Sequence, residues 1–349
     1  MDKILPSSDD PLFSIFIIVV LVLVTAVVSY VMGNYKEERK KRSLKSFLEK
    51  IDTRFFPLDM EKIPFEPSLI SPLSSLAGTL SERGEYQRSI GIYLYLIKHI
   101  ASFQKKEYLL ESLGKTYLKA GFLHRAEMIF LEILHKHPRN SDALYSLEIV
   151  YEFLGEFTKA KEVLTPLKTL GVEFKKIESH LILLELIKDT HTTQDEKFDR
   201  LLSCLQNSDY SYRRIIQELL KLNAKRTWAF IDDTKVELIL DILWFLPSSN
   251  LNLDIISKSK TLKSVYTVKG LLECNELPSP SRIFSIDVMH LALKGGATDM
   301  DLSFSYLCCE CKQNFPISFV RCPKCYALDS IKIKESIVKK QSLTGYSLL

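Results

Sequence analysis

Two C-x-x-C pairs near the carboxyl end carry the clearest chemistry in the sequence. The segment YLCCECKQNFPISFVRCPKC places ten residues between the two pairs. The two sulfurs of each pair can reach one metal ion, and ten residues can bring the chain back to the opposite side of that ion. Four thiolates form a closed tetrahedral site with no open position for a substrate. We therefore predict one metal ion bound by Cys308, Cys311, Cys322 and Cys325.

Two other interpretations of these cysteines stay open. The four thiols could be free, or one pair could be a thioredoxin-like redox site. A redox site needs only one pair, and no alternation of strands and helices surrounds these residues. Cys309 makes the first pair ambiguous. We favour Cys308 as the ligand because it keeps the two-residue spacing.

Catalytic motifs are absent from the sequence. It contains no phosphate-binding loop, zinc-protease helix motif, nucleophile elbow or dinucleotide fingerprint. The seven histidines are scattered, and none pairs with a plausible nucleophile in a recognisable motif. We therefore expect a protein that is not an enzyme and has no small-molecule substrate.

The composition favours an α-rich chain of two or three domains in 349 residues. Seven cysteines are too few for a disulfide scaffold, so we expect a reducing compartment. The formal charge of +4 does not by itself indicate a nucleic-acid partner. Cys204 and Cys274 lie in apolar helical surroundings and are predicted to be core residues.

A transmembrane helix is predicted at residues 12–32, after a short periplasmic N-terminus at residues 1–11. These 21 residues carry no charge and span roughly 30 Å as a helix. A cleaved signal peptide is disfavoured, because acidic residues precede the span and no A-x-A site follows it. Residues 33–72 are predicted to be a juxtamembrane segment and linker, and basic residues are concentrated at its start. Because positively charged flanks stay on the cytoplasmic side of a membrane, the bulk of the chain is expected in the cytoplasm.

Tetratricopeptide repeats are predicted at residues 73–171. Two copies are offset by 34 residues and a third by 37. Small residues such as Gly114, Ala126 and Ala160 mark the close approach of two helices. Gly121 and Gly155 fall in the turns, where a left-handed conformation is easily adopted. Such arrays bind an extended segment or a helix of another protein.

The repeat pattern decays over residues 172–303, where we predict further, degenerate helical pairs. Apolar residues recur at three- and four-residue steps in residues 177–187, 198–205, 212–222, 234–246 and 283–293. The four-cysteine domain is expected at residues 304–333, followed by a tail at residues 334–349. The domain could cap the end of the array, stabilised by its metal ion. The predicted fold class is all-α apart from this small rubredoxin-like or zinc-ribbon module.

A nucleic-acid interface at the cysteines is also conceivable, because basic and aromatic residues cluster there. They are Lys312, Arg321, Lys324, Lys332, Lys334, Phe315, Phe319 and Tyr326. Acidic neighbours dilute this charge, and a membrane tether argues against such a role. We therefore expect no nucleic-acid partner.

The order of these parts resembles the lipopolysaccharide assembly protein B family of Gram-negative bacteria. The family has an N-terminal span, tetratricopeptide repeats and a terminal rubredoxin-type pair of knuckles. Local similarity is close at about residues 75–135 and 304–333. It includes Leu113-Gly114, Ala120-Gly121 and Arg125-Ala126-Glu127, with Tyr306, Cys322-Pro323, Cys325, Ala327 and Ile331-Lys332 around the knuckles.

The resemblance implies an inner-membrane, single-pass adaptor that regulates lipopolysaccharide synthesis from the cytoplasmic side. Family members work with the membrane-bound AAA+ protease FtsH, which degrades the deacetylase of the lipid A pathway. The lipopolysaccharide transport machinery is a further implied partner. The four-cysteine site would hold one iron or zinc ion, and sulfur ligation does not choose between them.

Departures from the family pattern leave the partner open. Lys312 stands where family members have glycine after the first knuckle, so we expect that turn to be built differently. The middle repeats are eroded as well. Two alternatives are therefore kept: a general membrane-tethered scaffold whose metal only caps the array, and a rubredoxin-like electron carrier.

Overall fold

A computed structural model describes residues 64–171, 174–207, 210–273 and 281–340. Within these ranges no helix has both the length and the apolar character that crossing a membrane requires. The predicted transmembrane helix at residues 12–32 lies outside the described residues, as do the periplasmic N-terminus and most of the linker at residues 33–72. The described part of the chain is mostly helical.

The described residues up to position 129 form one compact unit. Its described part contains α1 (Ile70–Glu82), α2 (Tyr86–His99), α3 (Phe103–Lys119) and the start of α4 (Leu123–Lys136). The first helix packs against the second, and the second against the third. Ala77, Leu96 and Leu113 are fully buried at these contacts. The helices that the 34-residue pattern predicts are therefore present in this unit, and they share an apolar core.

Glycine ends the helices where the repeat pattern places it. Gly121 has φ of 77° and Gly155 has φ of 76°, both in the left-handed region. The amide after each glycine closes the turn: Phe122 N donates to Tyr117 O, and Glu156 N donates to Tyr151 O, both at 2.9 Å. A residue with a Cβ would be strained at these angles. The predicted turn geometry is confirmed.

The described residues from position 130 onward form the second compact unit. After the end of α4 it contains α5 (Ser141–Leu154), α6 (Phe157–Thr169), α7 (Lys175–Lys188), α8 (Gln194–Leu205), α9 (Tyr212–Thr227), α10 (Leu240–Trp244), α11 (Leu253–Lys258), α12 (Lys260–Val268) and α13 (Phe284–Lys294). The segments predicted as helices at residues 177–187, 198–205, 212–222 and 283–293 fall on α7, α8, α9 and α13. The helices α11 and α12 were not predicted.

The single helix predicted over residues 234–246 is wrong. A 3-10 helix, Asp233–Ile239, comes first and the short α10 follows it. Ile239 has φ of −133° and ψ of 13°, which breaks the helical path between them. The Asp232 carboxylate accepts from Thr234 N at 2.9 Å and caps the tighter turn instead. Val236 and Ile239 are buried in this arrangement, so tertiary packing overrides the helical periodicity.

The carboxyl end of the described chain is a three-stranded antiparallel sheet in the order β2-β1-β3. Its strands are β1 (Met300–Cys308), β2 (Asn314–Phe315) and β3 (Ile331–Lys339). β1 and β3 pair along their whole length, from Met300↔Lys339 to Cys308↔Ile331. The sheet is thus longer at both ends than the predicted module at residues 304–333, and part of the predicted tail is strand.

Helices α7 to α13 and the start of β1 share one apolar core. Trp228, Leu243, Tyr266, Ile286 and Leu302 are among its buried members. The Trp228 indole donates to Asn250 O at 2.8 Å, and the Tyr266 hydroxyl donates to Leu243 O at 2.9 Å. Both polar atoms are therefore satisfied inside the core. This core fixes the strand that ends at Cys308.

Candidate metal centre

Four cysteine sulfurs converge at the tip of the sheet. The Sγ atoms of Cys308, Cys311, Cys322 and Cys325 all lie within 4.8 Å of one another. The Sγ atoms of Cys308 and Cys325 are 3.7 Å apart, and so are those of Cys311 and Cys322. Sulfurs at about 2.3 Å from a central zinc ion lie about 3.8 Å apart in a tetrahedron, whereas a disulfide needs about 2.0 Å. The spacing therefore fits one four-coordinate ion.

The two knuckles have the same backbone pattern. In the first, Lys312 N donates to Cys308 O at 3.0 Å and Cys308 N donates to Gln313 O at 2.9 Å. In the second, Tyr326 N donates to Cys322 O and Cys322 N donates to Ala327 O, both at 2.9 Å. Each knuckle is thus a tight turn that aims both of its sulfurs to one side.

Both turns end in a left-handed residue. Lys312 has φ of 58° and Tyr326 has φ of 59°. The expectation that the first turn is built differently because it lacks glycine is therefore wrong. Lysine takes the left-handed conformation itself, at a cost of roughly 1–2 kcal/mol for an L-residue. Its Nζ also contacts Cys309 O, which holds the side chain over the turn.

Cys309 is not part of the sulfur cluster. Its side chain is exposed, and its amide donates to Ser330 O at 2.7 Å. Cys308 is fully buried and its Sγ lies 3.2 Å from the Ser330 hydroxyl. The structure therefore brings together the four predicted cysteines and leaves Cys309 outside. That these four bind a metal ion stays a prediction.

The thiols of the cluster differ in acidity. Burial alone raises the pKa of Cys308, but hydrogen bonds from Ser330 and from the Glu310 and Cys311 amides outweigh it and lower the pKa to about 6. Burial raises the pKa of Cys322 to about 12. A bound cation would favour the thiolate form of all four thiols.

Arg321, next to the ligand Cys322, joins the second knuckle to α5. Its Nε donates to Glu152 Oε2 at 2.8 Å, and its second terminal nitrogen contacts both Glu152 and the two Glu148 oxygens, the latter at 3.3 Å each. The remaining nitrogen donates to Tyr326 O at 3.0 Å and to the Tyr145 hydroxyl at 3.3 Å. The side chains of Arg321, Glu148 and Glu152 are all buried. The module is therefore fastened to a repeat helix by a desolvated ion network.

The charges of this network are set by burial and by each other. Burial raises the pKa of Glu148 to about 8, against the opposing effect of the Arg321 guanidinium. Burial works the same way on Glu152, but His180, 3.1 Å away, and Arg321 lower its pKa overall. The two carboxylates also hold the pKa of Arg321 above its ordinary value. Removing the guanidinium would strand buried acids, which is strongly unfavourable.

Sequence reasoning missed this network and counted Arg321 among possible nucleic-acid contacts. A usable signal exists. Glu148 stands 34 residues after Gly114, at a repeat position that otherwise takes a small residue, and Glu152 follows one turn later. Acids inside an apolar helix indicate a buried cationic partner. The sequence does not say which of the 47 basic residues that partner is.

A second anchor fixes the sheet behind the cysteines. The Tyr306 hydroxyl donates to Asp241 Oδ2 at 2.7 Å. Arg213 binds the same carboxylate with two nitrogens, at 2.6 and 2.7 Å. Asp241 lies on α10 and Arg213 on α9, so β1 is tied to two helices only two residues before Cys308. The predicted site residues are thus positioned by helices as well as by their own turns.

Comparisons with known proteins give partial matches to curated proteins. No protein-family model matches the chain. Lipopolysaccharide assembly protein B of Escherichia coli strain K12 is 27% identical over 133 residues, which is 38% of this chain and 34% of that protein. The proteins of the same name from strains O6:H1 and O157:H7 match to the same extent.

The matched region spans only about a third of the length of these curated relatives. Besides this partial sequence similarity, the chain has helical repeats and a four-cysteine cluster. Together, these three observations fit the lipopolysaccharide assembly protein B family.

Proposed function

We propose that this chain is an adaptor in lipopolysaccharide assembly, in which helical repeats and a metal-bound module act as one binding unit. The similarity to lipopolysaccharide assembly protein B supports the process. One structural observation carries the proposal: Arg321 of the module is buried against Glu148 and Glu152 of α5. A metal ion held by the four cysteines would keep the second knuckle in the shape that presents Arg321 to α5.

The proposal extends to membrane attachment and to partners. The apolar segment at residues 12–32 would anchor the chain in the inner membrane with its bulk in the cytoplasm. The chain would bring the deacetylase of the lipid A pathway to FtsH, and could also contact the lipopolysaccharide transport machinery. Repeat helices suit this task because they bind segments of other proteins. No catalytic step is assigned to the chain itself.

Co-purification from gently solubilised native membranes tests the proposal. The bait is the intact chain beside a Cys322→Ser, Cys325→Ser variant, and a Cys309→Ser variant serves as a control that leaves the cluster complete. Partners are identified by mass spectrometry. We expect the protease and the deacetylase with the intact chain and the control, and loss of at least one with the double variant. Absence of both partners from the intact-chain sample would contradict the adaptor function.

A second candidate is a general scaffold in which the metal only stabilises the fold. The same buried network favours it, because a module fastened to α5 can cap that helix without binding a client. The double variant would then lose folded structure around α5 and the sheet while retaining every partner of the intact chain. Limited proteolysis of the two proteins, run beside the co-purification, separates these outcomes.

A further inference from the structure

The outer edge of the sheet presents a row of backbone hydrogen-bonding groups. The order β2-β1-β3 leaves β3 (Ile331–Lys339) at one side, and within the described part of the chain no other strand pairs with it. Two hydrogen bonds fix its orientation: Lys340 N donates to Asp299 O at 2.9 Å, and Cys309 N donates to Ser330 O at 2.7 Å. Even-numbered residues of β3 therefore bond to β1. The odd-numbered residues point their N–H and C=O groups to the free edge.

A cavity of about 520 Å³ lies between this strand and the helices. Of the described residues in the sheet, Ile331, Ile333 and Glu335 of β3 line it together with their neighbour in the strand, whereas those of β1 do not. The opposite wall includes Leu238 of the 3-10 helix and Phe284 of α13. Leu238 is 50% exposed and Phe284 is 81% exposed. Two apolar side chains thus remain open to solvent in a cavity that the free strand borders.

The charged groups in the wall of this cavity do not favour an ion of either sign. Arg213 is already bound by Asp241, at 2.6 and 2.7 Å. Glu335 accepts a hydrogen bond from the Ser285 hydroxyl at 3.4 Å. The basic residues of the wall are Arg213, Arg282 and Lys332, and the acidic ones are Glu237, Asp329 and Glu335. Because these charges balance, apolar side chains suit the cavity better than a charged ligand.

The other face of β3 is basic. Lys332 and Lys334 are exposed there, since successive side chains of a strand point to opposite faces. The residues opposite them on β1 are Leu307 and Ser305, which carry no charge. A strand added at the free edge would place its own side chains directly beside the two lysines. Carboxylates at these positions would be stabilised by them.

We propose that β3 binds an extended acidic segment of a partner protein as a fourth strand of this sheet. The backbone of the segment pairs with the odd-numbered residues of β3. Its apolar side chains lie over Leu238 and Phe284, and its acidic side chains alternate with them and contact Lys332 and Lys334. A second copy of β3 does not fit this description, because its lysines would lie beside like charges. This inference rests on the adaptor function proposed above and names one surface that holds a client.

Peptide binding to the purified full chain in mild detergent tests the proposal. The probe is a fluorescent peptide as long as β3, with alternating valine and glutamate. One control peptide has lysine in place of glutamate. A second keeps the side chains but carries N-methyl groups on amides of both edges, which prevents strand pairing. We expect the first peptide to bind about tenfold more tightly than either control in fluorescence anisotropy. No binding of the first peptide, or equal binding of either control, would overturn the proposal.

Reversing the charge of the strand should reverse its preference. A Lys332→Glu, Lys334→Glu variant is expected to bind the lysine peptide more tightly than the glutamate peptide. The matched control is Lys105→Glu, Lys115→Glu, which changes two exposed lysines of α3 and should keep the original preference. Circular dichroism confirms that both variants are folded. An unchanged preference in the first variant, or a reversal in the control as well, would overturn the proposal.

Residue-resolved amide hydrogen exchange locates the bound peptide. The amides of Ile333, Glu335 and Ile337, which point to the free edge, should exchange about tenfold more slowly at saturating peptide. Binding without this protection would overturn the proposal. Slow exchange before the peptide is added would also overturn it, since a second copy or another part of the chain would then cover the edge. Neither the protease nor the deacetylase is present, so these tests can fail while the co-purification succeeds, which would remove the docking surface and leave the adaptor function.

Discussion

The Arg321 guanidinium lies 3.3 Å from both carboxylate oxygens of Glu148, although 173 positions separate the two residues in the chain. Arg321 directly precedes Cys322, and Glu148 is fully buried in α5. The four-cysteine module therefore does more than follow the helices in sequence. One of its ligand turns is held by a charged contact inside a repeat.

Replacement of Arg321 by Met should lower the free energy of unfolding by about 3 kcal/mol or more, because Glu148 and Glu152 would remain buried without their cation. Urea unfolding of the full chain in detergent measures this change. The control is Lys324→Met, which removes an exposed cation from the same knuckle. A loss below about 1 kcal/mol for Arg321→Met would contradict a buried ion network.

Restoring charge balance should rescue that variant. Combining Arg321→Met with Glu148→Gln and Glu152→Gln removes the stranded Glu152 carboxylate and the buried Glu148 acid beside it, so the triple variant should be more stable than Arg321→Met alone. The comparison uses the same urea transitions. A triple variant that is no more stable than the single one would mean that lost packing, and not charge, causes the defect.

The stability of the second unit should depend on the ionisation of Glu148. Its pKa is raised from 4.5 to about 8, so the neutral carboxyl stabilises the fold below pH 4.5 and this contribution is lost as the pH rises through 8. The pKa of Glu152 is lowered, so its ionised form stabilises the fold above pH 4.5, and its contribution to the free energy of unfolding changes with pH only below that value. Between pH 5 and 8 the free energy of unfolding of the wild type should therefore fall relative to Glu148→Gln.

The slope of this difference can reach about 1.4 kcal/mol per pH unit for one proton. Urea unfolding at matched metal content gives the free energy of unfolding of each protein as a function of pH. The contributions of the other titrating groups cancel in the difference because both proteins contain them. Parallel curves for the wild type and Glu148→Gln would show that this carboxyl does not titrate in the range.

Loss of a cysteine should reduce the metal content only if that cysteine belongs to the four-sulfur cluster. The full chain and a Cys309→Ser variant should each bind one zinc or iron ion, whereas Cys311→Ser should lose most of it. Elemental analysis after purification measures the stoichiometry. Removal of the ion should destabilise the module strongly, since structural zinc contributes about 10–16 kcal/mol in small domains. Equal loss of metal from the Cys309 and Cys311 variants would contradict the assigned ligand set.

Glycine at position 312 should improve the first knuckle. Lys312 holds φ of 58°, which glycine adopts without strain, so Lys312→Gly should raise the free energy of unfolding by about 0.5–1 kcal/mol. Lys312→Val should lower it, because a β-branched residue is poorly tolerated there. Thermal unfolding of the metal-loaded chain reports both changes. A destabilising Lys312→Gly variant would show that the lysine side chain contributes more than its backbone strain costs.

The local features of this fold could be predicted because neighbouring residues encode them. Gly121 and Gly155 mark turns that close within six residues, and the C-x-x-C spacing brings sulfurs together within one turn. The contact between Arg321 and Glu148 could not be predicted in the same way. It depends on which of many basic residues the tertiary fold brings to α5.

Tertiary packing also determines secondary structure that the spacing of apolar residues predicts wrongly. Residues 234–246 have helical spacing, yet the burial of Val236 and Ile239 and the cap at Asp232 produce a 3-10 turn before α10. The sheet continues to Lys339 because β3 has β1 as a partner along its full length. A strand's end is set by its partner, which its own sequence does not reveal.

The half-life of the lipid A pathway deacetylase tests the central claim most directly. It would be followed after arrest of protein synthesis in cells that have the chain, lack it, or carry Arg321→Met or Lys324→Met at equal protein levels. We predict a longer half-life without the chain and with Arg321→Met, and a normal one with Lys324→Met. The same half-life with and without the chain would contradict the adaptor function.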